Sequence, residues 1–171
     1  MITIFIILLG IIGVCFLIYN SIISSRQKVL ESWADIDVQL KRRHDLIPSL
    51  IETVKGYAAH EKNLFEEITR IRSEAMQIDS KNLPQKSEIE KQLGAMLGKV
   101  LAVAESYPNI KASENFLKLQ DELTNTEDEI ASARRIYNDN VANFNTVLGV
   151  FPTNMIAKIT HFTPYSFFQI S

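Results

Sequence analysis

Cysteine is nearly absent: Cys15 stands alone among 171 residues. No internal disulfide is available, and no oxidising compartment is implied. Glycine and proline are also scarce, at six and five, too few for a turn-rich β architecture and suited to long helices. Charge of one sign is missing as well. Eighteen basic against twenty acidic residues leave a net charge of −2, which offers no field to a nucleic acid. Catalytic motifs are lacking too: there is no P-loop, no GxGxxG and no GxSxG. His44, His60 and His161 lie far apart without metal-ligand spacing. His60-Glu61 opens like a zinc-protease helix, but Leu64 stands where the second histidine must be. No histidine has a glutamate three residues before it, as a di-iron bundle requires. The expectation is a non-enzyme with no catalytic residue, cofactor or metal. With 46% hydrophobic and 22% charged residues, the chain otherwise has the composition and length of one folded domain.

The first nineteen residues carry no charged side chain and are dominated by isoleucine, leucine and phenylalanine. As a helix this run covers roughly 28 Å, about one bilayer core. A cleaved signal peptide would have a basic start and a small-x-small site. Neither is present: no Lys or Arg precedes the run, and residues 20–25 read NSIISS. A lipoprotein signal would place a small residue before Cys15, where Val14 stands. The segment therefore reads as an uncleaved anchor, residues 1–23, ahead of a domain over 24–171. Arg26, Lys28, Lys41, Arg42 and Arg43 follow the run, so the positive-inside rule places that domain in the cytoplasm. Arg26 and Lys28 are the residues near enough to meet lipid headgroups. Lys41, Arg42 and Arg43 would lie roughly 25–30 Å further along a straight helix, beyond a Debye length of about 8 Å. Gly10 and Gly13 would let two anchors approach, at a spacing shorter than GxxxG.

Beyond the anchor, apolar residues recur in steps of four and three: Val29, Trp33, Ile36, Leu40, Arg43, Ile47, Leu50, Val54, Tyr57, Glu61, Leu64, Ile68, Ile71 and Ala75. Only Arg43 and Glu61 break the seam. A strand period would bury Asp35, Asp37, Lys41 and Asp45, so the segment is a helix that hides one stripe against partners. Pro48 lacks the N–H that bonds four residues back, so a kink is expected near residues 45–48. A loop is expected over residues 79–84. A second helix then carries Ile89, Leu93, Met96, Val100, Val103 and Tyr107, and ends at Tyr107-Pro108-Asn109. A third carries Phe116, Leu119, Leu123, Thr126, Ile130, Ala133, Tyr137, Asn140, Phe144 and Val147 to about Gly149. Phe151-Pro152 breaks the chain, and a short helix runs to about Ile159. The fold class is all-α: a transmembrane helix followed by an antiparallel, coiled-coil-like bundle of three long helices plus a short C-terminal one.

Several residues stand out within this pattern. Arg43 occupies a seam position, where it must pair with a carboxylate of a neighbouring helix and fix register. Asn140 reads as a second register-setting polar residue. Gly94 and Gly98 each cost about 1 kcal/mol in a helix relative to Ala, which close approach of another helix would offset. With Trp33 and Pro48 they form the expected packing or oligomer positions. Phe162, Tyr165, Phe167 and Phe168 offer either a docking patch for a partner or membrane, or a cap on the open end of the bundle.

Trp33-Ala34-Asp35-Ile36-Asp37-Val38-Gln39-Leu40-Lys41-Arg42-Arg43, running into Asp45-Leu46-Ile47-Pro48, resembles the hallmark of LemA family proteins. So do Glu52-Thr53-Val54-Lys55-Gly56-Tyr57-Ala58 with His60-Glu61, and Tyr107-Pro108-Asn109 with Asn115-Phe116. Ala133-Arg134-Arg135-x-Tyr137-Asn138 and Phe151-Pro152-x-Asn154-x-Ile156-Ala157 complete the set. The resemblance covers nearly the whole chain. It departs at Thr160-His161-Phe162, where the family usually carries a Phe-Gly-Phe-like element. The resemblance implies a helical bundle anchored at its N-terminus in a bacterial inner membrane, with the domain cytoplasmic and no established enzymatic activity. Relatives are associated with magnetosome membranes, and some are encoded near membrane zinc metalloproteases. Both associations favour a scaffold or accessory role, and the long seam, Arg43 and Asn140 within seams, and Gly94 with Gly98 lead to the expectation of a scaffold that self-associates and organises membrane or partner proteins. The alternative is an accessory protein for a membrane protease or signalling system. The partners expected are the bilayer through residues 1–23, further copies of the chain and a membrane protein, with no nucleic acid.

Overall fold

A computed structural model describes residues 1–79 and 82–170. The expected loop over 79–84 falls partly outside the described residues, at Ser80 and Lys81, as does Ser171 at the end of the expected domain. Among the described residues the structure is all helical, with no strand. Its six helices are α1 (Ile2–Lys55), α2 (Lys62–Gln77), α3 (Leu83–Glu105), α4 (Pro108–Lys111), α5 (Glu114–Gly149) and α6 (Thr153–Ile159). They divide into two compact units. One comprises Met1–Ala34 with Arg135–Phe167, the other Asp35–Arg134 with the tail from Phe168.

In the second unit the end of α1, α2, α3, α4 and the start of α5 share one apolar core. Ile47, Leu50 and Val54 of α1 meet Phe65, Ile68 and Ile71 of α2, Leu93 and Val100 of α3, Ile110 of α4 and Phe116 and Leu123 of α5. Burial of each such side chain contributes roughly 1.5–3 kcal/mol. The long seam of residues 29–75 is divided between two helices. The break falls at residues 56–61, and Pro48 lies inside an uninterrupted α1. Gly56, the weakest helix former in that region, sits at the break. Tyr57 and Ala58 both donate backbone N–H groups to the Val54 carbonyl, at 3.0 and 2.9 Å. Ala58 is fully buried, so the turn folds under the core. α3 opens with Asn82 accepting from the Gln85 amide at 3.4 Å and Pro84 in its first turn, where no N–H is needed. It stops at Glu105, ahead of the expected Tyr107-Pro108 boundary, and Pro108 begins α4.

Pro48 has a local partner arrangement of its own. A residue with an N–H at position 48 would bond the His44 carbonyl, one turn earlier. That carbonyl instead accepts from Arg72 Nε of α2 at 2.6 Å. The proline thus frees an acceptor that α2 takes, and the two helices are tied at that point. Arg72→Met is expected to destabilise the protein by about 1.5–3 kcal/mol, the worth of a hydrogen bond to a charged group. In a Pro48→Ala background the helix can reclaim its own bond, so the same change should cost measurably less. Urea denaturation of the four variants in a double-mutant cycle reads the difference.

In the first unit, Ile22 and Val29 of α1 are buried, as are Tyr137, Val141 and Phe144 of α5 and Ala157 of α6. Residues 2–17 of α1 are all exposed, and Ile18 is half-buried. This is the one helix among the described residues long and apolar enough to cross a membrane.

Candidate functional site

The most concentrated chemistry lies inside the second unit, where α1, α3 and α5 converge on Arg43. Its side chain is 1% exposed and that of Glu90 is 0% exposed. Arg43 Nη2 donates to Glu90 Oε2 at 2.5 Å and to the Glu90 carbonyl at 3.2 Å. Nη1 donates to Glu127 Oε1 of α5 at 2.8 Å, and Glu127 reaches in from a half-exposed position. His44, the next residue on α1, places Nε2 at 3.0 and 3.2 Å from the two Glu90 oxygens. An ionised carboxylate only accepts, so Nε2 carries the proton there. Burial works most strongly against the Glu90 charge. The hydrogen bond and charge of His44, together with Arg43, outweigh it and hold the carboxyl below its ordinary range. For Arg43 burial is again the largest influence and opposes the charge, while Glu127 and Glu90 reverse it and raise the pKa. The guanidinium Nε is buried and finds no acceptor among the described residues.

Beside this cluster, Lys86 is buried and pairs with Asp37 at 2.9 Å. A small pocket of about 200 Å³ opens there, lined by Asp37, Lys41, His44, Asp45, Met76 and Lys86 among others. A larger groove of about 730 Å³ lies between the end of α1 and α2, with Ile51 and Phe65 in its lining. Its charges on α2 are engaged along that helix: Lys62 with Glu66 at 3.6 Å, and Arg70 with Glu67 at 2.7 Å and Glu74 at 2.5 Å. Among the described residues, no group of three or more His, Cys, Asp or Glu could hold a metal ion. The cluster binds three helices to one another; its acids and bases are spent on each other.

Arg43 therefore meets carboxylates of two neighbouring helices of its own chain. A Cβ added at Gly94 would stand 3.8 Å from Arg43 Nη1, so the neighbour there is this side chain. A Cβ added at Gly98 would meet nothing within 4 Å among the described residues, so this side of α3 is open there. Asn140 is half-buried in the first unit and donates to the Lys28 carbonyl at 3.3 Å. Trp33 packs edge-on against Tyr137, with centroids 5.4 Å apart. Arg26 Nε lies 3.3 Å from the Tyr165 hydroxyl, and its guanidinium stands 5.9 Å over the Phe162 ring. Lys28 is exposed.

The tail is a cap over most of its length. In the first unit Phe144 makes edge-on contacts with Phe162 and Tyr165, at 6.5 and 5.5 Å. Asn145 grips the Tyr165 backbone from both sides: Nδ2 donates to its carbonyl at 2.9 Å, and Oδ1 accepts from its N–H at 3.0 Å. Tyr137 donates to the Ser166 carbonyl at 3.0 Å, and burial above all, with Tyr165 nearby, pushes its pKa up to about 12. In the second unit Phe168 is fully buried, and Ser87 and Arg134 donate to the carbonyls of Gln169 and Ile170. The docking role expected of Phe168 is thus corrected by its burial within its own chain. Phe167, half-exposed, is the one of the four that remains open to solvent.

Sequence reasoning missed His44, Glu90, Glu127, Arg72 and Asn145. One signal for Glu90 was present. Lys86, Glu90, Leu97 and Ala104 form a second stripe beside the Ile89, Leu93, Met96 and Val100 seam, and both are buried. A helix buried on two faces lies between partners, and charges on its second face must pair.

The fold and this interior define an all-helical protein with one candidate membrane-spanning helix and an interhelical charge cluster. The chain belongs to the LemA family, whose model matches residues 32–171. It is 28% identical over 165 residues to Protein LemA of Metamycoplasma hominis, covering 94% of this chain and 74% of that protein. It is 23% identical over 176 residues to the magnetosome protein MamQ of Magnetospirillum gryphiswaldense. To MamQ 2 of Paramagnetospirillum magneticum it is 25% identical over 175 residues. Each of these alignments covers 88% of this chain and 64% of the relative, so the chain spans just under two thirds of the MamQ proteins.

Proposed function

We propose that the protein is a membrane-anchored, non-enzymatic helical scaffold. It is held in the bacterial inner membrane by residues 1–23 with its helical units on the cytoplasmic side, and its copies associate to organise membrane or partner proteins. The observation that carries this reading is α1 itself. One continuous helix holds an unburied apolar span and, further on, Arg43 and His44 of the buried charge cluster. A cluster that binds helices together is what a structural domain needs, and its groups are committed to one another rather than to a substrate. Arg26 and Lys28 follow the span, which favours a cytoplasmic exit. Arg43 pairs with its carboxylates and Asn140 with a backbone carbonyl within the chain. Support for self-association therefore rests on Gly10 and Gly13 in the span and Gly98 on α3, all open to an incoming helix. Likeness to proteins named as magnetosome proteins fits a role in membrane organisation.

The mass of the full chain in mild detergent, compared with a version beginning at Arg26, tests the association. A multiple of the 19.4 kDa chain mass in the full-length sample supports the scaffold. If the shorter version keeps it, the helical units assemble; if it is lost, the spans do. Monomers in both would overturn self-association.

A further inference from the structure

α6 buries only Ala157. The other side of this segment is apolar and open: Phe151 is 78% exposed, Met155 57% and Ile159 75%. Met155 and Ile159 are one turn apart on the same helical face, and Phe151 continues their spacing just ahead of the helix. Lys158 is exposed next to them. Apolar residues scattered singly need no explanation, but a contiguous face of this kind marks an interaction surface.

What covers it follows from its neighbours in the same unit. Phe162, just past the end of α6, has its ring 6.3 Å from Tyr19 and beneath the Arg26 guanidinium. Tyr19 closes the continuous apolar run of α1, and Arg26 is the first charged side chain after it. The end of α6 therefore stands beside the point where α1 leaves its apolar span, at the depth where a bilayer meets water. We infer that Phe151, Met155 and Ile159 lie in the lipid interface, forming a second membrane contact next to the anchor, with Lys158 reaching the phosphate level. A segment of this kind lies in the plane of the interface, its apolar side about 5–10 Å into the headgroup and acyl boundary. A cationic stem at the edge of such a face is suited to place its aliphatic part in lipid and its charge in water. The inference rests on the reading that residues 1–23 span a bilayer.

The test uses the full chain in nanodiscs of phosphatidylcholine with a minority of phosphatidylglycerol. In a Cys15→Ser background, single cysteines at Phe151, Met155 or Ile159 carry an environment-sensitive fluorophore. Control labels sit at Leu9, roughly 15 Å of helix before Tyr19 and so near the middle of the span, and at Asp139, beside the Asn140 that bonds Lys28 and roughly 13 Å of helix beyond Tyr19. All five positions are exposed, so the labels displace no packing. Nitroxide placed near the lipid glycerol should quench the three face labels several-fold, and nitroxide deep in the acyl chains should quench Leu9. Asp139 should respond to neither. If Leu9 is quenched and the three face labels are not, the interfacial contact is wrong while the anchor stands. If Leu9 is also unquenched, the anchor has failed and the contact with it. Blue-shifted face labels that lipid nitroxides leave bright would assign the surface to a protein partner, and that too overturns the inference.

Discussion

Glu90→Leu is expected to lower the stability of the folded chain by about 3–5 kcal/mol, the cost of leaving one member of a buried ion pair without its partner. The change strands Arg43, whose side chain is 1% exposed, with only Glu127 at the edge of the core. It also takes both acceptor oxygens from His44 Nε2. Replacing Arg43 and Glu90 together by Met and Leu should recover most of the loss, because apolar substitutes of similar volume remove the desolvation cost of both charges. The pair also has a pH signature. The folded pKa of Glu90 lies below its unfolded value, so its contribution is complete above the unfolded value, near 4.5. That contribution drains away as pH falls through the folded value. Wild type should therefore lose stability in acid more steeply than Glu90→Leu. Urea midpoints of the full chain in detergent across the acidic range read this difference. Equal slopes would contradict the paired carboxylate.

Phe144→Ala is expected to cost about 3–5 kcal/mol, the range for removing a fully buried aromatic ring. Phe144 is 0% exposed and holds Phe162 and Tyr165 by edge-on contacts. Its loss should do more than open a cavity. With the ring gone, the tail keeps Asn145 on the Tyr165 backbone and Tyr137 on Ser166, so residues 162–166 should exchange and cleave faster without wholesale unfolding. Limited proteolysis with mass detection tests that pattern. Cleavage within 162–166 at the wild-type rate would show that the ring does not hold the tail.

The parts of this structure visible in the sequence are those set by local chemistry. The apolar run through Tyr19 is long and apolar enough as a helix to cross a membrane, which length and composition alone decide. Gly149 and Phe151-Pro152 mark the end of α5 and the restart at α6 because proline restricts its own backbone and that of its predecessor. Arg43 stood out because a charge on an apolar seam needs a partner. The break at residues 56–61 did not, because the heptad phase survives it: Tyr57, Glu61 and Leu64 keep the spacing that a continuous helix would have. Pro48 is the stronger local breaker in the sequence, yet the structure offsets its missing hydrogen bond with Arg72. The identity of Arg43's partners was also hidden. Glu90 and Glu127 are 47 and 84 residues away in sequence, and helical periodicity is silent on contacts between helices at such separations. The tail was ambiguous for a similar reason: residues 162–170 have no helical period, and only the side chains they meet on α5 and α3 decide which of them are covered.

The anchor is the claim on which the functional account depends, and alkaline carbonate extraction of membranes from bacteria expressing the tagged full chain tests it most directly. Carbonate strips proteins held only at the surface, including any held by the α6 face alone, and leaves spanning helices in place. The account predicts that the full chain stays in the membrane pellet and that a version lacking residues 1–23 is released. Release of the full chain, or retention of the shortened one, would contradict it.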